Sequence, residues 1–273
     1  MLRAKWEDGW WLITHPDHAR LAGAFAEAWG NATFRRPEPR DRVLFGIASH
    51  DDGWMLRDAH PTTTRQGLPS AFSSELVGRY AAFEEIHIAD YLAVRDRAVR
   101  IIADRDAYAA LLISMHTYNL LTAHADRSTI EPRGLVLLDE FLAQQRRFQD
   151  EMMERIAADL DLTPEQRSPT LIYEHFKLLQ ACDNLSLLSC VDFNRPADLL
   201  HALPLNDGGS VGVLVTWEGP RCFRLTPWPF SEPEITFQFP ARRITGHVFD
   251  SSDELDKAFH AAAQQELTVK LIA

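Results

Sequence analysis

Apolar residues recur at helical spacing through most of the first two hundred positions. After a short hydrophobic opening, Trp10–Ile13, which predicts a brief strand, Pro16 and Asp17 start a helix that Gly30 stops. Within it His18, Leu21, Ala22, Phe25, Ala26 and Trp29 fall on one stripe, and His18 leads it. The segment NATFRRPEPRD makes a turn. A second helix begins near Asp41, with Val43, Leu44, Ile47 and Ala48 on its inner face. His50 and Asp51 continue that face before Gly53 ends it.

A loop with Pro61, Gly67 and Pro69 leads to three predicted helices, over 84–103, 106–124 and 134–160. In the middle one Ala109, Leu112, Ile113, His116 and Leu120 share a face. Pro164 and Pro169 then break the chain. The next helix, 170–190, carries the stripe Ile172, Phe176, Leu179, Asp183, Leu187 and Cys190. An acid therefore sits in the middle of an apolar face.

The pattern changes near residue 205. The turn NDGGS opens a series of short alternating runs, VGVLVTW, RCFRLTPW, EITFQF and RITGHVF, which predict strands. A helix over 252–264 and a last strand, LTVKLI, follow. This reading expects a mainly α fold: a helical domain over 1–204 and a small C-terminal α/β appendage over 205–273.

Composition adds exclusions. With 28 Lys+Arg against 39 Asp+Glu, the formal charge is −11 over 273 residues. No nucleic-acid partner is expected of so acidic a chain. The longest apolar stretches, such as LLISM, are far shorter than the roughly 20 residues of a membrane helix. Residues 1–13 have no signal-peptide pattern, and the three cysteines form no C-x-x-C pair. A cytoplasmic protein without a membrane partner is expected.

Four predicted helices each present a metal-capable side chain inward: His18, the adjacent pair His50-Asp51, His116, and Asp183. Neutral imidazole and carboxylate suit zinc, iron, manganese and nickel. A carboxylate on an apolar face is costly unless it is paired or binds a metal. Adjacent His50 and Asp51 diverge by about 100° on a helix. They can converge on one ion if one reaches from the helix end and the other from its side.

An early His, an adjacent His-Asp pair, further histidines and a late helical Asp resemble the HD-domain superfamily, over about residues 15–190. The resemblance implies an HD-like helical bundle and a site for one or two divalent ions: iron, manganese, zinc, nickel or magnesium. It aligns His18, His50, Asp51 and Asp183 with the H…HD…D ligands, and makes His87 and His116 candidates for a second ion. It further implies a hydrolase acting on a small phosphorylated substrate, a phosphomonoester or nucleotide, with Asp51 or His116 handling a proton.

Two other functions fit the same resemblance. One is a di-iron oxygenase, which needs both His87 and His116. The other is a degenerate fold that only binds a ligand or partner. A first helix ending in WG, HDDGW, an SMH-like motif and CDNLSL are similar to a bacterial branch of that superfamily described as a domain of unknown function. Arg57 and Arg65 are weak candidates for holding phosphate, and Trp54 is expected in the core. The C-terminal module either shapes the pocket or mediates a homodimer.

Overall fold

The computed structural model describes residues 1–78 and 87–273. The first positions of the helix predicted over 84–103 lie outside the described residues.

Two strands open the chain, β1 (Leu2–Trp6) and β2 (Gly9–Ile13). Helix α1 (His15–Ala28) follows, capped by the Thr14 side chain, which accepts a hydrogen bond from the Asp17 amide. Gly30 adopts φ +108, a conformation open to glycine, and turns the chain away from α1. Helix α2 (Arg40–Ser49) lies against α1, where Gly23 permits the approach: a Cβ there would sit 2.6 Å from the Ala48 Cβ.

The short α3 (Met55–Asp58) precedes α4 (Ile88–Ala103), α5 (Ala107–Asn119), α6 (Pro132–Ala158) and α7 (Pro169–Cys190). A π-helical turn, Leu120–His124, closes α5, so the predicted 106–124 segment is helical throughout but not uniformly α.

Beyond α7 come β3 (Ala197–Asp198), β4 (Leu203–Pro204), β5 (Ser210–Val211), β6 (Leu214–Gly219), β7 (Cys222–Thr226) and the long β8 (Glu234–Thr245). Helix α8 (Ser252–Ala261) leads to β9 (Gln264–Ile272). Strands β4 and β5 form a small ribbon. The other strands build one seven-stranded sheet in the order β1-β2-β8-β9-β7-β6-β3. Among the described residues, only the β7–β9 pairing of that sheet is parallel.

This sheet overturns the expectation of a mainly α, HD-like bundle with a small α/β appendage. It contains β1 and β2, whose register pairs Trp10 with Ile244 and Leu12 with Arg242. The strands thus come from both sides of the 204/205 junction. The alternating runs were legible, but EITFQF and the start of RITGHVF form one strand, β8, and not two. Their assembly into a single large layer depends on pairings across more than two hundred residues, which local periodicity does not encode.

Helix α1 packs on the sheet, with Phe25 edge-on to Phe237 at 4.8 Å, and its C-cap Trp29 meets Phe230 of the β7–β8 connection at 5.7 Å. One continuous hydrophobic core joins Phe25, Ile47, Leu112 and Leu179 of the helices to Phe223, Phe239 and Val269 of the sheet. Burying these faces against each other removes the apolar stripes of α1, α2, α5 and α7 from water. The same packing carries the polar members of those stripes inward together. Among the described residues no helix is long and apolar enough to cross a membrane.

Candidate metal centre

Four helical segments meet at a buried polar cluster. His18 lies one turn into α1, His50 caps the C-terminus of α2, His116 is near the end of α5, and Asp183 is in the middle of α7. Asp51 follows His50 outside the helix, with φ −116 and ψ 16, at the start of the 3-10 turn Asp52–Trp54. The helix therefore ends between the two residues. That break lets adjacent side chains converge where a continuous helix would splay them. All five side chains are buried, and Asp183 is the most accessible at 6%.

The distances are those of a compact ligand set. His18 Nε2 is 3.0 Å from Asp51 Oδ2, and His50 Nε2 is 3.1 Å from Asp183 Oδ1 and 3.8 Å from Asp51 Oδ2. His116 Nε2 is 3.9 Å from Asp183 Oδ2. The rings of His18 and His50, and of His50 and His116, cross nearly at right angles with centroids 5.2 Å apart. Ligand atoms of His18, His50 and Asp51 all lie within 4.8 Å of one another, and the same holds for His50, His116 and Asp183.

The second nitrogen of each ring tells the histidines apart. His50 Nδ1 donates to the Ile47 carbonyl at 2.7 Å, which turns Nε2 toward the carboxylates. His18 Nδ1 lies 2.8 Å from Ser186 Oγ, whose own hydroxyl proton goes to the Asp183 carbonyl. The Ser186 oxygen therefore accepts from His18, and Nε2 again faces Asp51. An imidazole anchored through Nδ1–H in this way is the usual posture of a metal-ligating histidine. His116 differs: the Gln180 amide nitrogen lies 3.5 Å from its Nδ1, so that nitrogen faces a donor and Nε2 carries the proton. Gln180 is in turn held by Asn119 Oδ1 at 3.0 Å and by His201.

Charge is balanced inside the cluster. Burial opposes ionisation of Asp51, but the Arg95 guanidinium and His50 together hold its carboxyl well below the usual range. Asp183 is likewise held low against burial, chiefly by its hydrogen bond to His50 and by the charge there. Burial alone would lower His50, yet Asp51 and Asp183 keep it up at about 9. Burial dominates at His116 and pushes it down to about 3, leaving a neutral ring.

Arg95 is the member that sequence reasoning missed. It is buried, its Nη1 donates to Asp51 Oδ1 at 2.5 Å, and its Nε donates to the Tyr91 hydroxyl at 3.1 Å. Its guanidinium lies 5.4 Å from the Trp54 ring centre and 5.3 Å from that of Tyr91. A signal was present: Arg95 interrupts the stripe Tyr91, Leu92, Ala98, Val99 and Ile102, all buried on α4. Ser186 was also missed, although it lies one helical turn after Asp183 in CDNLSL.

Other candidates fall elsewhere. His87 is exposed at the N-cap of α4 and does not join the cluster. The six-ligand set of a di-iron oxygenase is therefore not assembled by the described residues. Trp54 is buried, as expected, and its ring stacks on His15 at 4.4 Å. Asp58 is buried beside the His15 backbone amide at 2.5 Å and the Met1 amine at 2.9 Å, outside the cluster. Among the hydrogen bonds and ion pairs of the described residues, none joins Arg57 or Arg65 to the cluster.

The residues from Met1 to Gly246 match the model of one protein family, described as "Protein of unknown function (DUF3891)". The chain belongs to the DUF3891 family. The match contains every residue of the buried cluster together with strands β1, β2 and β8, and it stops before α8. No curated protein and no solved structure matches the chain.

Proposed function

We propose that this DUF3891 chain is a metal-dependent hydrolase of a small phosphorylated substrate. The observation that carries the reading is the matched anchoring of His18 and His50, each held through Nδ1 with Nε2 turned to a buried carboxylate. His18, His50, Asp51 and Asp183 would hold a divalent ion, in the ligand order that resembles the HD superfamily. The donor set fits such an ion: nitrogen and oxygen atoms from four buried side chains, without thiolate, suit borderline divalent metals. A bound divalent ion supplies Lewis acidity toward a phosphoryl oxygen and lowers the pKa of water.

The remaining chemistry belongs to the chain. Arg95 occupies Asp51 Oδ1 and leaves Oδ2 facing His18 and His50. With both carboxylates ionised, Arg95 and a divalent ion together outweigh them by one positive charge. That surplus favours an anionic substrate such as a phosphate ester. His116, neutral and with its proton on Nε2, is suited to donate a hydrogen bond to a substrate oxygen, and a ring held down at about 3 is not charged at neutral pH to give up a proton. Asp51, held ionised, is suited to orient the attacking water.

The test is elemental analysis of untagged protein purified without added metal, followed by a panel of phosphomonoesters and nucleotides. Bound divalent metal that is lost in His50→Ala, with phosphate release that falls in parallel, is the expected result. Protein that carries no metal and takes none up on titration would end this reading.

A further inference from the structure

A second group of metal-capable side chains lies on the surface, on elements that contribute nothing to the buried cluster. His60, two residues beyond α3, faces Asp256 and His260 of α8. His60 Nδ1 is 3.2 Å from Asp256 Oδ1, and His260 Nε2 is 3.3 Å from the same oxygen. One ligand atom from each residue lies within 4.8 Å of the other two. Zinc bonds of roughly 2.0–2.1 Å in a tetrahedral arrangement place neighbouring ligand atoms about 3.3 Å apart. Both contacts to Asp256 have that spacing.

The elements are already docked without an ion. Thr63, three residues after His60, donates its backbone amide to Ser252 Oγ at 3.0 Å, at the first residue of α8. Asp256 and His260 are one turn apart on α8 and share a face. The His60 and His260 ligand atoms also lie within 4.8 Å of each other, and both rings are open to solvent, at 75% and 50% exposed.

We propose that His60, Asp256 and His260 form a surface site for a zinc-class transition ion that clips α8 to the segment following α3. Two imidazoles and one carboxylate are the donor set such ions prefer over magnesium or calcium. The three residues supply three ligands, and the exposure of His60 leaves the fourth position to water. Asp256 and His260 lie beyond the family match, which ends at residue 246.

Equilibrium dialysis of the untagged full-length chain against Zn2+ tests the site. His60→Ala and His260→Ala are each expected to lose one zinc equivalent relative to the starting protein. His50→Ala is expected to keep that equivalent, whatever happens at the buried cluster. Melting temperature should rise with Zn2+ in His50→Ala and lose that component in His50→Ala/His260→Ala. Unchanged zinc content in both His60→Ala and His260→Ala would overturn the proposal, leaving two hydrogen-bonded histidines around a carboxylate. If the buried reading alone were wrong, His50→Ala would lose no zinc while His260→Ala still lost one equivalent.

Discussion

Arg95 holds Asp51 by one carboxylate oxygen and leaves the other to His18 and His50. The pair is buried on both sides, so neither charge has water to fall back on. Removing one partner of such a pair strands the other and costs roughly 3–5 kcal/mol. Arg95→Met is therefore expected to be strongly destabilised in urea unfolding, more than Arg57→Met at a partly exposed site. Equal midpoints for the two variants would show that the guanidinium is not what keeps Asp51 ionised.

Ser186 contributes only its hydroxyl to the cluster, as the acceptor that orients His18. Loss of an outer partner of a metal-binding histidine typically weakens metal affinity by about 10–100-fold. Ser186→Ala should show that weakening in a competition titration with a chelator, with its far-UV circular dichroism unchanged. Wild-type affinity in this variant would mean that the His18 ring is held by packing alone.

His87 should be dispensable for metal binding. It is exposed at the N-cap of α4, where its side chain makes no capping hydrogen bond. Metal content of His87→Ala is expected to equal that of the parent, whereas His50→Ala loses the buried ion. A fall in His87→Ala would bring back the six-ligand, two-iron arrangement.

Gly53 in the HDDGW motif has a packing reason. A Cβ there would lie 2.4 Å from the Val94 carbonyl oxygen and 2.8 Å from the Ala98 Cβ, both on α4. Gly53→Ala forces α4 outward, and overpacking of this kind costs about 1–3 kcal/mol. The same shift moves Arg95 relative to Asp51. Chemical denaturation should register the loss, and metal titration a weaker site. A variant as stable as the parent would show that α4 yields without cost.

His175 predicts an acid sensitivity unrelated to the cluster. Burial pushes it down to about 4, and Tyr108 sits 2.8 Å from its Nδ1. The unfolded chain takes up this proton near pH 6.5, whereas the folded one resists until about 4. The stabilisation is complete above pH 6.5 and disappears as pH falls through that window, by about 3 kcal/mol at most. His175→Gln should lose less stability than the parent between pH 7 and pH 4.5. Parallel losses would assign the acid sensitivity to other groups.

Part of the cluster was legible from the sequence because His18, His116 and Asp183 each break a rule of their own helix. A His or Asp on an otherwise apolar stripe must be satisfied by something, and His18, His116 and Asp183 show that pattern in the bare sequence. Arg95 breaks the same rule, but long basic side chains often lie along apolar faces with their charge in water, so its position gave a weaker signal. His87 shows the opposite failure: order along the chain suggested a ligand, and nothing local said where the helix would begin. The large sheet was hidden for another reason. The Trp10–Ile13 run reads as a strand, yet its partner, Arg242–Thr245, is named by no turn or spacing between them.

The β2–β8 ladder has a consequence for the order of events during synthesis. The helices bearing His18, His50, His116 and Asp183 all leave the ribosome before the strand that completes the pairing of β2. Until residues 242–245 emerge, Trp10 and Leu12 wait with one edge of their strand open. A nascent chain halted after α7 would hold every buried metal-capable side chain and still expose a hydrophobic strand edge, the form most prone to self-association.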